Sequence, residues 1–201
     1  MLGGLSSAIW GAIISIRYHH SSFKQLVRDF FQVKQAPLNY LLVLIFLGLD
    51  FLPLILSGGI LIQVWYFPII LFVKALVFGG IEEIGWLYFF QPTLQEKLTY
   101  LVSTLCTFVA WSLWHLLYFY IDGSLAMVNL LPFLLGLLSN CFILSAIYTK
   151  TRSLWLCVMT HALINALSQL SSTEENLGLS LVIKVCLLYT SDAADDMQCV
   201  D

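Results

Sequence analysis

Runs of apolar residues separated by short polar segments make up most of the chain. A helix that crosses a bilayer needs about 20 apolar residues. On this basis we predict spans at residues 4–16, 40–56, 68–90, 99–121, 128–148 and 154–170, and a last one from 177 into the C-terminal segment. The first and last runs are shorter than a full crossing, and we expect both to be truncated.

The segment between the first two runs has a different pattern. Apolar side chains recur there at helical spacing, at Phe23, Leu26, Val27, Phe30 and Phe31, opposite Lys24, Arg28 and Asp29. This pattern indicates an amphipathic helix in the membrane interface, although an ordinary solvated loop helix fits equally well.

Composition supports a membrane location. Of the 201 residues, 60% are hydrophobic and 10% are charged, with a mean hydropathy of +0.89. A soluble domain carries about 25% charged residues, so lipid must cover much of this surface. Bare strand edges cannot face hydrocarbon, and the two-residue alternation of a lipid barrel is absent. We therefore predict an all-α, polytopic transmembrane bundle of about six to seven spans in the cell membrane, with no nucleic-acid partner.

The C-terminal residues resemble foreign sequence. Residues 186–195 read Cys-Leu-Leu-Tyr-Thr-Ser-Asp-Ala-Ala-Asp, which looks like a translated transposase-type sequencing adapter. We expect an integral-membrane domain at 1–185, with its motif core at about 40–170, and a non-native tail at 186–201. The tail holds Asp192, Asp195, Asp196 and Asp201, so the formal charge of −3 becomes +1 without it.

Basic residues fall on alternate loops. Seven of the nine follow the first, third or fifth run: Arg17, Lys24, Arg28, Lys34, Lys97, Lys150 and Arg152. The intervening loops instead hold Asp122, Glu174 and Glu175. The positive-inside rule then places the basic loops in the cytoplasm.

Ionisable residues inside spans are costly, which makes them functional candidates as well as possible structural pairs. The spans contain Asp50, Lys74, Glu82, Glu83, His115 and His161, with Asn165 one turn beyond His161. Asp50 and Lys74 can satisfy one another across neighbouring helices. The adjacent Glu82 and Glu83 have no basic residue close after them. Desolvation and mutual repulsion would leave one of them able to accept a proton from water.

The remaining polar residues can join these carboxylates. His161 and Asn165 stand at i and i+4 and share one helical face. Counted from the basic ends of the spans, Glu82 and His161 lie at similar depth, Asn165 is deeper and His115 deepest. This predicts one polar cluster in the cytoplasmic half of the bundle.

Three motifs resemble those of the CPBP family of CAAX-prenyl-protease and bacteriocin-processing (Abi) membrane proteins. They are Glu82-Glu83-Ile-Gly-Trp-Leu87, Trp111-Ser-Leu-Trp-His115 and His161-Ala-Leu-Ile-Asn165. The family patterns are Glu-Glu-x-x-x-Arg, Phe-x-x-x-His and His-x-x-x-Asn or Asp, in the same order. The resemblance implies that Glu82 activates a hydrolytic water, assisted by Glu83 and His115. It also implies that His161 and Asn165 polarise the scissile carbonyl and stabilise its oxyanion.

Two positions depart from the family patterns. Leu87 stands where the family has an arginine, which would neutralise or orient Glu83 one turn away. Trp111 replaces a phenylalanine, and both residues supply an aromatic wall. The missing arginine bears on activity rather than on fold.

Two functions follow from these observations. The first is a glutamate-dependent intramembrane endopeptidase that cleaves a membrane-associated peptide or protein near the cytoplasmic face. The alternative is a catalytically impaired relative that binds a membrane peptide, for example in bacteriocin immunity. We predict no cofactor and no metal, because Asn165 stands where a second histidine ligand would be expected and no His-Glu-x-x-His motif is present.

Overall fold

The regular structure of the described residues is helical, as predicted. A computed structural model describes residues 3–18, 22–60, 62 and 64–170. Its α-helices are α1 (Gly3–Tyr18), α2 (Phe23–Phe30), α3 (Pro37–Asp50), α4 (Leu52–Leu56), α5 (Phe67–Phe78), α6 (Glu83–Gly85), α7 (Gln91–Gln95), α8 (Tyr100–Asp122), α9 (Leu130–Thr151) and α10 (Leu154–Gln169).

The number of spans is only partly supported. Within the described residues, α8 and α9 are long and apolar enough to cross a membrane, and α3 and α10 are shorter apolar helices. The predicted count of six to seven spans is therefore not confirmed. The predicted last span and the adapter-like tail lie outside the described residues, so the division at residue 185 stays a prediction.

The third apolar run, predicted as a span at residues 68–90, is not one continuous helix. Helix α5 ends at Phe78 and is followed by a 3₁₀ turn (Gly80–Glu82), α6, a π-helical turn (Trp86–Phe90) and α7. The break occurs where α10 approaches the backbone. A Cβ added at Gly80 would lie 2.9 Å from the Val158 carbonyl oxygen, closer than real Cβ atoms come. The two glycines therefore let α10 pack against the break.

Helix α10 is central to the fold. It contacts α5, α9, α3 and α2, and its residues Leu156, Cys157 and Val158 are fully buried. The outward faces of α5 and α8 instead expose large apolar side chains, among them Ile69, Ile70, Val73, Leu113 and Leu117. A buried centre with an apolar exterior is the arrangement that lipid would cover.

The amphipathic helix is confirmed as α2. Ser22 accepts a hydrogen bond from the backbone of Gln25 and caps its N-terminus. Leu26 and Phe30 are buried in a cluster with α1 and α10, and the Tyr88 hydroxyl donates to Asp29 Oδ2 at 3.0 Å. Its location in the membrane interface stays a prediction.

The helix order places most of the basic residues at one end of the bundle. Helix α2 packs against the start of α10, next to the end of α9 with Lys150 and Arg152. Lys97 lies just before α8, which begins at this same end. We call this the basic end. The opposite end contains the starts of α5 and α9 and the ends of α8 and α10.

Candidate active site

A cavity of about 500 Å³ lies among α5, α8, α9 and α10. Four of the five sequence-predicted site residues line it: Glu82, His115, His161 and Asn165. Glu83 does not line the cavity and lies fully buried behind His161. The structure thus brings the three motifs together around one space.

Glu82 is held by the tryptophan of the second motif. The Trp111 indole nitrogen donates a hydrogen bond to Glu82 Oε2 at 3.0 Å. Trp111 is fully buried, and its ring centroid lies 5.3 Å from that of His161 and 5.8 Å from that of His115. A phenylalanine here could supply the wall but not the donor. Trp111 therefore supplies a hydrogen-bond donor to Glu82 in addition to the aromatic wall that the sequence pattern indicated.

Glu83 pairs with His161. Glu83 Oε1 lies 2.6 Å from His161 Nδ1, and the carboxyl group has 0% exposure. Its other oxygen, Oε2, is buried and has no hydrogen-bond partner within the described part of the chain. Leu87, at the position of the family arginine, is fully buried in the apolar core. An apolar leucine side chain thus stands where an arginine would be expected to neutralise Glu83.

The two ring nitrogen atoms of His161 face different groups. With Nδ1 directed to Glu83, Nε2 is directed towards Gly79, where a Cβ would lie 3.5 Å from it. The same Cβ would lie only 2.4 Å from the side-chain nitrogen of Asn165. A side chain at Gly79 would therefore displace the Asn165 amide, and the bare backbone lets two nitrogen atoms of α10 converge beside the α5 break.

His115 is oriented by its own helix. His115 Nδ1 lies 2.9 Å from the Trp111 carbonyl oxygen, so a proton on Nδ1 would be donated to that carbonyl. The ring packs against Phe119 and Phe133. Nε2 is then the nitrogen that is not engaged by the backbone, and in this tautomer it is an acceptor.

The cavity also contains polar residues that the sequence patterns did not single out. Asn140 of α9 and Ser168 and Gln169 of α10 line it. Lys74 lines it too, and the predicted ion pair with Asp50 is wrong. Among the described residues no such pair occurs. Asp50 lies against α9 and accepts a hydrogen bond from Ser139 at 3.1 Å. Asn140 was visible in the sequence as an amide within an apolar run.

The cavity extends away from the basic end. Besides Glu82 and His161, its lining comes from the start of α9, with Pro132 and Phe133, and from the end of α10, with Ser168 and Gln169. The depth estimate placed the cluster in the half next to the basic loops. That estimate treated residues 68–90 as one regular helix, whereas the chain is broken at Gly79.

The donor set does not suggest a metal centre. Within residues 3–170, as far as they are described, no three His, Cys, Asp or Glu side chains are grouped so that they could hold a metal ion. Glu83 is already paired with His161, and Asn165 offers an amide. A metal-independent site stays a prediction.

Comparisons with known proteins agree with the motifs. No curated protein matches the chain. A family model described as "Type II CAAX prenyl endopeptidase Rce1-like" matches residues 63–167, which include all three motifs and slightly more than half of the 201 residues. This is a membrane-embedded protease family within the CPBP group that the motifs resemble. The chain therefore belongs to the Rce1-like family of type II CAAX prenyl endopeptidases.

Proposed function

We propose that this protein is an intramembrane endopeptidase in which Glu82 activates a water molecule for peptide-bond hydrolysis. The observation that carries the proposal is the convergence of Glu82, His115, His161 and Asn165 on one cavity inside an apolar bundle. Polar groups in such surroundings are costly to bury, which favours a role in function. The protease class agrees with the family.

In this mechanism Glu82 is the general base. Trp111 donates to Oε2, and Oε1 is the oxygen that would accept a proton from a water in the cavity. The water oxygen bonds to the scissile carbonyl carbon as the proton passes to Glu82. When the C–N bond breaks, the same proton is transferred to the leaving amine. His115 Nε2, as an acceptor lining the cavity, can orient the water.

His161 and Asn165 are suited to stabilise the oxyanion. The Asn165 amide donates through Nδ2, and a protonated His161 donates through Nε2. Both nitrogens face the bare backbone of Gly79, so a substrate carbonyl can approach them without meeting a side chain. Preorganised donors of this kind contribute about 10²- to 10³-fold to the rate of acyl transfer.

We assign Glu83 a different role from the one implied by resemblance. It does not line the cavity, and its contact is with His161 Nδ1. A carboxylate at that position keeps the ring orientation fixed and stabilises a positive charge on it. Glu83 thus acts through His161 rather than on the water.

The substrate class follows from the family description. A type II CAAX prenyl endopeptidase acts on a prenylated peptide, so we propose a membrane-associated peptide or protein as the substrate of this chain. The bundle would lie in the cell membrane with several crossings. A bacteriocin leader peptide is a second possible substrate within the CPBP resemblance.

A second candidate function, peptide binding without cleavage as in bacteriocin immunity, is favoured by Leu87. With leucine in place of the family arginine, Glu83 Oε2 has no hydrogen-bond partner within the described residues. If the arginine is essential for activity, the cavity would bind a peptide but not hydrolyse it.

The test compares wild type, Glu82→Gln and Leu87→Arg on one prenylated CAAX peptide in reconstituted membranes. Loss of a positioned base typically costs about 10²- to 10⁴-fold, so Glu82→Gln should reduce cleavage to background while the protein stays monodisperse. Leu87→Arg should leave the rate level or raise it, because a guanidinium one turn from Glu83 can pair with its Oε2, which has no partner among the described residues. Leu87→Met is the control for altered packing alone.

Undiminished cleavage by Glu82→Gln would rule out the assignment of the base. If wild type and Leu87→Arg both bind the peptide without cleaving it, the binding function would be supported instead.

A further inference from the structure

Helix α2 exposes an apolar stripe and a basic stripe side by side. Consecutive helical residues are about 100° apart, so Phe23, Val27 and the C-cap residue Phe31 fall within an arc of about 80°. We call these three residues the apolar stripe, and their exposed fractions are 67%, 41% and 60%. Lys24 and Arg28 form the basic stripe, about 100° and 140° around the helix from Phe23, and both are exposed.

The other side of α2 is fixed to the bundle, and this determines where the two stripes point. Leu26 and Phe30 are buried against α1 and α10. Asp29, the acidic residue of α2, is held on the bundle side, because its Oδ2 accepts a hydrogen bond from Tyr88 at 3.0 Å. The neighbouring Arg28 contacts Asp29 Oδ1 through Nε and is still 70% exposed. The outer surface of α2 therefore combines apolar side chains with positive charge.

The order of the stripes around α2 matches the layers of a bilayer surface. The apolar stripe lies between the buried side of the helix and the basic stripe. With α2 against a membrane-embedded bundle, the apolar stripe would face acyl chains and the basic stripe would face headgroups. Lysine and arginine have apolar stems that extend along hydrocarbon while the charged group stays in the polar layer.

Further cations surround this surface. Lys34 follows α2, and Lys150 and Arg152 lie at the neighbouring end of α9. All three are exposed. Basic residues next to a membrane segment are attracted to anionic phospholipids, and each one strengthens the attraction. The charge of this end is therefore complementary to a layer of anionic headgroups.

We propose that α2 is a binding surface for anionic phospholipids. Phe23, Val27 and Phe31 enter the boundary of the acyl chains, and Lys24 and Arg28 bind the headgroup phosphates. None of these residues lines the candidate active site. The proposal therefore does not depend on the proposed function.

The test places a fluorophore on either side of α2 in the full chain. In a cysteine-free background, Val27→Cys puts the label on the apolar stripe. Gln25→Cys is the matched control, because Gln25 is exposed and lies about 160° around the helix from Val27. Each protein is reconstituted in phosphatidylcholine nanodiscs that contain a nitroxide-labelled lipid, either phosphatidylglycerol or phosphatidylcholine. Iodide measures access of the label from water.

We expect the lipid nitroxides to quench the label at residue 27, and iodide to quench the label at residue 25. Phosphatidylglycerol should reach half-maximal quenching at about one-tenth of the mole fraction that phosphatidylcholine needs, because the cations favour it. Lys24→Gln with Arg28→Gln should remove this difference, and Lys24→Arg with Arg28→Lys should keep it. Lys74→Gln with Lys97→Gln is the control for an equal loss of charge elsewhere in the chain, and it should also keep the difference.

Quenching of the label at residue 27 by iodide rather than by lipid would overturn the proposal, since α2 would then be a solvated helix or the docking face for a protein. Equal quenching by the two lipids would overturn it too, because α2 would then be anchored without selecting anionic headgroups. Loss of the difference in Lys74→Gln with Lys97→Gln would attribute it to overall charge and not to α2. Size-exclusion chromatography confirms that each variant is folded, and the charge-conserving pair keeps the test decisive if the neutral pair is not.

Discussion

Two of the groups of polar side chains that are buried in the described part of the bundle differ in how completely they are satisfied. Gln91 donates to Thr104 at 3.1 Å and accepts from Ser145 at 2.7 Å, while the Thr104 hydroxyl donates to the Tyr100 carbonyl. All three side chains are buried, and none lines the cavity. We call this group the glutamine network.

The candidate active site has the opposite character. Glu83 Oε2 lacks a partner among the described residues, and Glu82, His115 and Asn165 face an open cavity. The glutamine network joins the segment after the π-turn to α8 and α9, so it stabilises the fold. The candidate active site therefore differs from the glutamine network in that its polar side chains face a cavity instead of one another.

The largest expected effect concerns the orientation of the bundle and its cavity in the membrane. A cysteine at one end of the bundle either reacts with an impermeant reagent outside the cell or does not react at all. In a cysteine-free chain, Lys150→Cys should resist an impermeant thiol reagent in intact cells, because the basic end should be cytoplasmic. Asp122→Cys, at the opposite end, should label. Gln169→Cys, at the edge of the cavity, should label with it and show access from the non-cytoplasmic side.

The reverse labelling pattern would contradict the positive-inside orientation. In that case the cavity would open towards the cytoplasm, and cleavage would occur near the cytoplasmic face, as the sequence predicted.

A smaller effect is expected for the hydrogen bond that positions Glu82. Trp111→Phe keeps an aromatic ring but removes the donor to Oε2. A hydrogen bond to a charged group contributes about 1.5–3 kcal/mol, so kcat should fall about tenfold or more with little change in KM. Steady-state kinetics on the prenylated peptide would check this.

Trp114→Phe is the matched control, since Trp114 packs against the core on the same helix. An equal loss of kcat in both variants would show that packing, not the indole donor, is responsible.

The smallest expected effect on catalysis belongs to the glutamine network. Gln91→Leu leaves the Ser145 hydroxyl without its acceptor and removes the donor to Thr104. A buried polar group left unsatisfied costs about 1–3 kcal/mol, so the thermal unfolding temperature should fall while kcat/KM stays unchanged. Differential scanning fluorimetry and the cleavage assay together measure this.

Gln95→Leu, at the end of α7, is the control for the loss of an amide without such partners. A fall in kcat/KM for Gln91→Leu without a loss of stability would contradict the purely structural role of the glutamine network.

Much of the candidate site could be read from the sequence. The polar residues in apolar runs are conspicuous, and the spacing of His161 and Asn165 places them on one helical face in the structure as predicted. The helical class and α2 were likewise predictable, because periodicity and composition are local properties of the chain. The break after Phe78 was not, since a glycine pair within an apolar run is also compatible with a continuous helix.

The sequence by itself determined the helical class, the membrane character and the candidate polar residues, because each follows from residue type and spacing. The tertiary structure alone decided which residues share the cavity, that Glu83 pairs with His161, and that Asp50 pairs with Ser139 rather than Lys74. These outcomes depend on how α10 approaches Gly79 and Gly80 and on which helix faces meet. Such contacts join residues far apart in the chain, and no local pattern specifies them.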